Sequence, residues 1–358
     1  MTALPPGSTI GILGGGQLGR MLALAAAPLG LKCHIYSDVP GPAFDVAAKS
    51  QVGPFEDTDK IRAFAETVDV VTYEFENVPL EAAAAAQAVA PVRPGPKALA
   101  VAQDRLEEKS FIRGIGIPVA PFANVDSDAS LAAALASIGE AGILKTRRLG
   151  YDGKGQVRIR SAAELAPAFE SLKRMPCVLE GLVPFAYEVS VLVVRGVTGE
   201  VRFYDLPLNT HKDGILDTST VPSPLPAAHV ARATEIAGAI ANALDYVGVL
   251  GVEMFYLPDA AEPLVVNEIA PRVHNSGHWT MDACLVGQFE NHIRAVAGWP
   301  LGPTTRHSDV TMTNLIGADV DRWHAFAAEP YTAVHLYGKP EARPGRKMGH
   351  VNRLKPRQ

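Results

Sequence analysis

The chain has 358 residues, of which 47% are hydrophobic and 20% are charged, and it carries a formal net charge of −5 at pH 7. This composition is typical of a soluble globular protein with two or three domains, and the acidic balance argues against binding to nucleic acid. There is no basic segment followed by a long apolar core, and Cys33, Cys177 and Cys284 form no CxxC pair, which predicts a cytoplasmic protein without membrane spans, disulfides or metal–thiolate sites.

The first hundred residues alternate strand and helix patterns, which is typical of a parallel sheet covered by helices. Strands are predicted at residues 8–13, 32–37 and 68–75, with helices at 17–28, 61–67 and along the alanine-rich run 81–91. Three prolines within residues 91–99 predict a boundary or a long turn.

After this boundary the pattern predicts a mainly antiparallel α+β arrangement. A helix is predicted at 104–113, and a strand pattern resumes at 116–122. Further strands are predicted at 142–148, 156–160, 176–183, 187–195, 200–206, 247–257, 262–269 and 331–339, with helices at 162–173 and 227–244.

The stretch "GGGQLG", Gly14 to Gly19, contains a GxGxxG pattern between a predicted strand and a predicted helix. Asp38 ends the next predicted strand, where a dinucleotide-binding fold places its ribose-binding acid. The alternative is a helix N-terminus that binds another anion, or nothing. Taken alone, this stretch favours NAD.

The stretch "LKTRRLGYDGKGQVRI" places Lys145 in a predicted strand that is followed by a glycine-rich loop. Glycines let backbone N–H groups approach phosphates closely, and a neighbouring lysine supplies a compensating charge. A plain hairpin turn is the alternative, but Asp-Gly alone would suffice for it. Three glycines together with Lys145 and Lys154 favour a phosphate site.

Two predicted strands around "PDAAEP" carry Glu253 and Glu268. If Leu257 and Leu264 close the loop, the two acids lie opposite each other on the sheet and repel. A divalent cation between them removes the repulsion, and Mg²⁺ prefers one or two carboxylates together with substrate phosphates. A different loop register, which would separate the acids, is the alternative.

Three other polar stretches remain ambiguous alone. Glu180 and Glu188 stand at strand ends, where a carboxylate can accept both hydroxyls of a ribose or lie solvated. The stretch "VNEIAPRVHNSGHWT" concentrates arginine, histidine and asparagine after an apolar strand, which suggests a small anion. The stretch "YGKPEARPGRKMGH" suits a phosphate, with a solvated basic loop or a nucleic-acid patch as the alternatives, the patch being disfavoured by the acidic net charge. Its basic residues are Lys339, Arg343, Arg346, Lys347 and His350.

Together these stretches resemble the ATP-grasp superfamily, and within it the N5-carboxyaminoimidazole ribonucleotide synthetase family of purine biosynthesis. The stretches "GGGQLGRML", "TYEFENVP", "GYDGKGQ", "NEIAPRVHNSGHWT" and "RPGRKMGH" are similar to that family's motifs and occur in its order. The resemblance runs over residues 10–352. The chain ends at Gln358, soon after "GHVN", where members of the family usually continue with further strand and helix.

The resemblance implies an ATP-grasp fold of mixed α/β and α+β class. Residues 1–108 are then a Rossmann-like parallel-sheet domain that binds substrate, 109–190 a small lid domain with the glycine loop, and 191–358 a large domain with a C-terminal strand subdomain. The implied protein is a cytoplasmic homodimer.

The implied reaction uses ATP, bicarbonate and aminoimidazole ribonucleotide, with Mg²⁺ or Mn²⁺ as the metal. Bicarbonate attacks the γ-phosphate to give carboxyphosphate and ADP. The amine of the ribonucleotide then takes the carboxyl group, directly or through CO₂.

The resemblance also implies roles for individual residues. ATP would be held by Arg105, Lys145, Gly150, Tyr151, Asp152, Gly153, Lys154, Gly155, Gln156, Glu180, Gly181, Leu182, Val183, Glu188, His211, Asn267 and Glu268. The metal would be held by Glu253 and Glu268. The bicarbonate and amine site would be lined by the catalytic residues Tyr151, Arg272, His274 and Asn275. The ribonucleotide would be held by Gln17, Leu18, Glu74, Glu76, Lys339, Arg346 and Lys347.

Three alternative functions stay open at this point. An NAD-dependent oxidoreductase would explain Gly14 to Gly19 and Asp38 but not the glycine loop or the paired acids. A nucleotide-sensing module without catalysis would form no product. Another ATP-grasp ligase, of the formyl-phosphate or biotin-directed kind, would differ in the acid that ATP activates.

Overall fold

A computed structural model describes residues 3–139, 141–150 and 154–357. Its strands form one parallel sheet and two antiparallel sheets. This arrangement confirms the predicted mixture of α/β and α+β structure. Within the described residues, no helix is both long enough and apolar enough to cross a membrane.

The N-terminal sheet has the strand order β3-β2-β1-β4, with all its strands parallel. Its strands are β1 (Thr9–Leu13), β2 (Lys32–Ser37), β3 (Lys49–Val52) and β4 (Val70–Tyr73). Its helices are α1 (Gln17–Ala26), α2 (Thr58–Ala65), α3 (Leu80–Gln87) and α4 (Pro96–Ala102). Parallel strands end at the same edge, so the segments that follow β1 and β4 lie side by side.

Two elements of this region escaped prediction for physical reasons. Strand β3 is a short polar edge strand without a buried face, so it shows no apolar alternation. Helix α4 begins at Pro96, which suits the first position of a helix because that residue needs no N–H donor there. The proline-rich stretch therefore contains a helix as well as a turn.

The second sheet is small and antiparallel, with the strand order β5-β8-β6-β7. Its strands are β5 (Phe122–Val125), β6 (Gly142–Thr146), β7 (Gln156–Ile159) and β8 (Cys177–Gly181). Helices of this region are α5 (Arg105–Gly114), α6 (Asp128–Ile138) and α7 (Leu165–Ser171). The strand predicted at 116–122 begins only at Phe122, and α6, which was not predicted, begins with Ser127 and Ser130 capping each other.

The third sheet is the largest, with the order β14-β13-β9-β11-β12-β15-β17-β16 and β10 beside β9. Its strands are β9 (Tyr187–Arg195), β10 (Val201–Phe203), β11 (Leu208–Lys212), β12 (Ile215–Val221), β13 (Gly248–Tyr256), β14 (Leu264–Ala270), β15 (Ser308–Ile316), β16 (Thr332–Leu336) and β17 (Lys347–Pro356). Its helices are α8 (Ala227–Ala243), α9 (Thr280–Ala283), α10 (Gln288–Ala297) and α11 (Trp323–Ala328). The last strand, β17, pairs along both edges, with β15 and β16.

Two hydrophobic cores cover the faces of the third sheet. On one face Val189, Val191 and Val193 pack with α8. On the other, Leu192 and Val194 belong to a core that also contains α1 and α10. Helix α1 packs on α10, and this contact joins the parallel sheet to the third sheet. The carboxyl edge of the parallel sheet is thereby brought against the third sheet. The three cysteines are buried and unpaired in disulfides.

Candidate active site

A cavity of about 910 Å³ is lined by residues of the second and third sheets and of the segments that follow β1 and β4 of the parallel sheet. Most residues singled out from the sequence line it, although they lie far apart in the chain. These are Gln17, Leu18, Glu74, Glu76, Arg105, Lys145, Gly150, Lys154, Gln156, Glu188, His211, Glu253, Asn267, Glu268, Arg272, His274, Asn275, Lys339, Arg346 and Lys347. The polar motifs therefore converge on one place.

Some predicted residues are not among those lining the cavity. Tyr151, Asp152 and Gly153 lie outside the described residues. Gly155, in the turn before β7, has a positive φ of 69°, and a Cβ there would approach Thr146 Oγ1 to 2.6 Å. The others are Glu180, Gly181, Leu182 and Val183, at and after the end of β8.

Lys145 is held at the cavity wall by a buried ion cluster. Its Nζ lies 2.9 Å from Glu180 Oε2, and Lys109 Nζ lies 3.2 Å from the same oxygen. Burial raises the pKa of Glu180, but the two lysines outweigh burial and hold that pKa below its usual value. Glu180 thus binds lysines here, whereas Glu188 presents its carboxylate to the cavity.

The cavity wall near Glu188 combines a polar pair with two stacked aromatic rings. Glu188 Oε2 lies 2.8 Å from His211 Nδ1. Burial lowers the pKa of His211, but Glu188 outweighs burial and the pKa is raised. Phe185 and Phe255 stack with their ring centres 4.5 Å apart, and both line the cavity. An apolar aromatic wall beside a carboxylate suits a flat ring joined to a sugar.

Glu253 and Glu268 lie directly opposite each other on β13 and β14, as predicted, but not through the predicted register. The ladder closes at Tyr256 and Leu264 instead of Leu257 and Leu264. A bulge next to Glu253 then shifts the register by one residue, which leaves Asn267 as the extra residue on β14. Two one-residue differences cancel, so the acids still meet.

The expected repulsion between the two acids is relieved within the protein itself. Arg105 Nη1 lies 2.9 Å from Glu268 Oε2, and His274 Nε2 lies 2.9 Å from Glu253 Oε1. Burial disfavours the charged form of Glu268, but Arg105 outweighs burial and holds its pKa at about 2. Repulsion therefore no longer argues for a cation, contrary to the sequence-based reasoning.

The donor atoms around these acids nevertheless fit an oxygen-binding cation. Asn267 Oδ1 is buried and finds no hydrogen-bond partner among the described residues. With the two carboxylates it makes an oxygen donor set of the kind that Mg²⁺ uses. The described residues contain no group of three or more histidine, cysteine, aspartate or glutamate side chains that could hold a metal. A cation here would need substrate oxygens or water as further ligands.

Arg272 connects the loop after β14 to the parallel sheet. Its Nε donates to the Glu76 carboxylate, and its Nη1 donates to Val273 O at 3.2 Å. Burial lowers the pKa of Arg272, but Glu76 outweighs burial and raises it, so the guanidinium stays charged. Beside it, both amide atoms of Asn275 are buried without a hydrogen-bond partner among the described residues.

The N-terminus of α1 already holds an anion, which is a side chain of the protein. The Glu74 carboxylate accepts from Gly16 N–H and, at 2.6 Å, from Gly19 N–H. A Cβ at Gly14 would approach Glu74 Cγ to 2.4 Å, and one at Gly16 would approach its Oε1 to 2.6 Å. The glycines of "GGGQLG" thus make room for Glu74, which takes the Gly16 and Gly19 N–H groups that an external anion would otherwise contact.

The basic stretch reaches the cavity with most of its predicted members. Lys339 Nζ donates to Lys347 O at 2.7 Å, and Arg346 Nη1 donates to Glu341 O at 3.0 Å. His350 does not reach the cavity: it is fully buried, and its Nδ1 lies 2.9 Å from the Tyr337 hydroxyl. Its inclusion among the phosphate-binding candidates was wrong.

Three known domain families match consecutive parts of the chain. The ribonucleotide synthetase preATP-grasp domain matches residues 7–103, the ATP-grasp domain residues 110–289, and the phosphoribosylaminoimidazole carboxylase C-terminal domain residues 310–358. The N5-carboxyaminoimidazole ribonucleotide synthase of Brucella melitensis is 53% identical over 359 residues, covering 99% of both chains. The chain belongs to the N5-carboxyaminoimidazole ribonucleotide synthase family.

Other members of the synthase family show the same similarity. The Pseudomonas aeruginosa enzyme is 46% identical, covering 96% of this chain and 93% of its own. A crystal structure of an ADP complex of an N5-carboxyaminoimidazole ribonucleotide synthetase superposes with a TM-score of 0.95 at 41% identity, covering 99% of this chain and 94% of its own. An Aspergillus clavatus N5-carboxyaminoimidazole synthase, in complex with ADP and 5-aminoimidazole ribonucleotide, superposes with a TM-score of 0.91 at 32% identity over 98% and 94%.

Membership of the synthase family establishes the ATP-grasp fold and overturns the NAD alternative. The structure explains why the dinucleotide pattern misleads. Glu74 occupies the helix end where a pyrophosphate would bind. Asp38, the expected ribose ligand, is exposed and accepts a hydrogen bond from Val39 N–H at 3.0 Å.

Sequence reasoning missed several residues of this synthase site. Lys109 is fully buried and holds Glu180, although a lysine in an amphipathic helix normally signals a solvated face. Phe185 lies in the connection between β8 and β9 and Phe255 near the end of β13, where an isolated aromatic residue gives no clear signal. Glu108, on α5, accepts from Ile269 N–H at 2.6 Å. Only the packing of α5 on β14 brings Glu108 to Glu268.

Proposed function

We infer that this chain catalyses the ATP-dependent carboxylation of the amine of 5-aminoimidazole ribonucleotide. The products are N5-carboxyaminoimidazole ribonucleotide, ADP and phosphate, and the enzyme is a carbon–nitrogen ligase of purine biosynthesis. The observation that carries this function is a single cavity lined by an aromatic wall with a carboxylate, by an arginine with two opposed acids, and by a basic loop. Relatives that share almost the whole chain support the same reaction.

ATP is proposed to bind between the second and third sheets. The stacked Phe185 and Phe255 offer an apolar wall for the adenine to pack on, and Glu188 offers a carboxylate to the ribose hydroxyls. Lys145 and Lys154, at the cavity wall, supply charge to the phosphates. Glu180 positions Lys145 through its 2.9 Å contact and so acts on ATP indirectly.

Mg²⁺ or Mn²⁺ is proposed to accompany ATP. Glu253, Glu268 and Asn267 would hold it, since two acids face each other beside a buried amide oxygen without a partner. When bound, the cation neutralises charge on the phosphates. In the structure Arg105 is paired with Glu268, and His274 is paired with Glu253.

Bicarbonate is proposed as the carboxyl donor, with carboxyphosphate as the intermediate. Arg272 is a buried, charged fork that can grip bicarbonate and then the acyl phosphate. The amide of Asn275, buried without a partner among the described residues, adds a donor and an acceptor beside it. Phosphoryl transfer needs such positioning and charge neutralisation more than covalent chemistry.

The ribonucleotide is proposed to bind at the end of the cavity lined by the basic loop and the start of α1. Arg346 and Lys339 would hold its phosphate, and Gln17 and Leu18 would contact the imidazole and ribose. Glu74 is buried against the N-terminus of α1, and the positive charges of Arg272 and Lys339 act on it. Glu74 therefore shapes this end even if it makes no direct contact with the substrate.

One assay tests the reaction directly. ADP formation and carboxylated ribonucleotide are measured with all three substrates, and then with bicarbonate or aminoimidazole ribonucleotide omitted in turn. We expect one carboxylated product for each ADP in the full mixture and a strong dependence on both omitted substrates. Formate-dependent turnover, or turnover without the ribonucleotide, would instead support another ATP-grasp ligase. ADP–Mg²⁺, and not NAD, should raise the melting temperature.

Three further proposals rest on the family resemblance. We propose a homodimer, which sedimentation equilibrium would test, and a cytoplasmic location, which cell fractionation would test. We also propose domain boundaries near residues 108 and 190. Because residue 108 lies within α5 and residue 190 within β9, limited proteolysis followed by mass spectrometry should cut in the connections beside these two elements if the three parts are separate units.

A further inference from the structure

A buried row of polar side chains crosses the third sheet at the cavity floor. Glu268 lies opposite Glu253, and Glu253 lies opposite Ser190 on β9. Asn209 on β11 and Ser219 on β12 continue the row, and these two residues also lie opposite each other. Ser190 and Ser219 are fully buried and Asn209 nearly so. Burial of so many polar groups is costly unless they are hydrogen-bonded to one another.

The polar groups form a continuous hydrogen-bond chain that ends on His274. Ser219 Oγ donates to Asn209 Oδ1 at 2.7 Å, and Asn209 Nδ2 donates to Ser190 Oγ at 2.9 Å. Ser190 Oγ lies 2.7 Å from the buried Ser276 Oγ. Ser276 Oγ lies 2.8 Å from His274 Nδ1. The other ring nitrogen, Nε2, faces Glu253 at 2.9 Å.

The order of donors along the chain sets where the proton of His274 lies. Asn209 donates to Ser190, and an order in which Ser190 donates to Ser276 and Ser276 donates to His274 Nδ1 gives each hydroxyl proton an acceptor. The backbone N–H of Ser276 also points at Nδ1, at 3.4 Å, and an N–H can only donate. Nδ1 is therefore an acceptor, and the ring proton lies on Nε2.

The opposite order conflicts with Glu253. If the amide of Asn209 were reversed, Ser190 would donate to it, Ser276 would donate to Ser190, and His274 would need a proton on Nδ1. A neutral ring would then present the Nε2 lone pair to the Glu253 carboxylate at 2.9 Å, which is repulsive. Both ends of the hydrogen-bond chain thus favour the His274 tautomer with its proton on Nε2.

We propose that Ser276, Ser190 and Asn209 are positioning residues that hold His274 as its Nε2–H tautomer. This inference rests on the proposed place of His274 in the carboxylation reaction. A ring that already carries a proton on Nε2, and whose Nδ1 is occupied by Ser276, cannot accept a proton from the substrate amine. His274 therefore donates from Nε2 to Glu253 and is not the base for the amine. As the nitrogen–carbon bond forms and the bond from that carbon to the phosphate oxygen breaks, the departing phosphate takes the amine proton.

The tautomer is observed directly with ¹⁵N-labelled histidine in the full-length protein. The His274 resonances are assigned by their loss in His274→Gln. We expect a protonated Nε2 and an unprotonated Nδ1 at neutral pH. A proton on Nδ1, alone or together with one on Nε2, overturns the proposal.

Asn209→Asp is the decisive variant because it keeps the shape of the side chain and reverses the direction of donation along the hydrogen-bond chain. An ionised aspartate only accepts, so Ser190 would donate to it, Ser276 would donate to Ser190, and Nδ1 would gain a proton. Because a buried aspartate that keeps its proton can still donate to Ser190, the variant is compared with the parent up to pH 9, where the aspartate is ionised. We expect the His274 resonances to move accordingly and kcat to fall by roughly 10- to 100-fold, the usual cost of disturbing the partner of an active-site histidine. The KM for ATP should change little. Unchanged resonances and turnover would contradict the proposal.

Further variants separate positioning from packing. Ser276→Ala should lower kcat to a similar extent, whereas Ser37→Ala, an equally buried serine that contacts Asp38, should not. His274→Gln, which keeps a donor at the reach of Nε2, should lose less activity than His274→Asn. Equal losses in these two variants would count against a donor role.

The spectra also separate this inference from the proposed reaction, because they need no turnover. If the reaction assignment fails, the parent protein forms no carboxylated ribonucleotide but keeps the expected His274 resonances. If the inference fails, the parent protein carboxylates the ribonucleotide with His274 in another protonation state.

Discussion

Glu108 should make the folded apoprotein lose stability as the pH rises from about 5 to 8. Its side chain is almost fully buried on α5. Burial and the neighbouring Glu268 raise its pKa to about 8, and Lys109 and Arg105 offset them only in part. The unfolded chain releases this proton near the ordinary glutamate pKa of about 4.3.

The sign and size of the effect follow from proton linkage. Between these two pKa values the folded state keeps a proton that the unfolded state has released, so the free energy of unfolding falls as the pH rises. The slope is about 1.4 kcal/mol per pH unit, and the whole interval amounts to at most about 5 kcal/mol. This stability is fully present below pH 4 and lost once the pH passes 8.

Glu108→Gln tests this reasoning because glutamine resembles the protonated acid. In EDTA, urea denaturation should give similar free energies of unfolding for variant and parent at pH 5. At pH 9 the variant should be more stable by several kcal/mol. Glu107→Gln is the matched control, since Glu107 is the preceding residue of α5 and its side chain is 61% exposed. Parallel stability curves for parent and Glu108→Gln from pH 5 to 9 would refute the reasoning.

Three further substitutions address the proposed substrate contacts. Glu268→Gln should abolish most metal-dependent turnover, and unchanged turnover in a metal titration would exclude Glu268 as a ligand. By removing the partner of Arg105, the same change should lower the free energy of unfolding by about 1–2 kcal/mol, a value reduced for the partial exposure of this side chain. Arg346→Ala should raise the KM for the ribonucleotide about 10- to 100-fold, as expected for a lost charge-assisted phosphate contact, and leave the KM for ATP nearly unchanged; an equal rise in both would place Arg346 elsewhere. Arg272→Lys should lower bicarbonate-supported product formation by about two orders of magnitude, while calorimetry shows nearly unchanged ADP binding; a matching loss of ADP affinity would contradict its assignment to the anion.

The sequence alone determined the features that depend on short stretches of chain. The alternation of strands and helices predicted the parallel sheet, and the glycine-rich segments marked where backbone approaches another group closely. Lys145 was placed on a strand, and that strand is β6. Such features follow from the conformational preferences of neighbouring residues, which act over one or two turns of chain.

Tertiary structure decided which polar groups meet. Glu74 reaches the α1 N-terminus from 58 residues away, so the partner of the glycine pattern was invisible to any local motif. The opposition of Glu253 and Glu268 depended on a bulge that no pattern of apolar residues announces. The sequence suggested a ribose as the partner of Glu180 because its two lysine partners could not be foreseen. They lie on a helix and a strand that only packing brings together.

The hydrogen-bond chain that links Ser219 to His274 shows the same division most clearly. Each serine or asparagine, met in the sequence, is an ordinary strand or turn residue. Their burial in one row requires the order β13-β9-β11-β12, which places sequence-distant strands side by side. Strand order is set by the total burial of both sheet faces and by the connections between strands, and these are properties of the whole fold. The protonation of His274 is therefore a consequence of topology that only the assembled sheet contains.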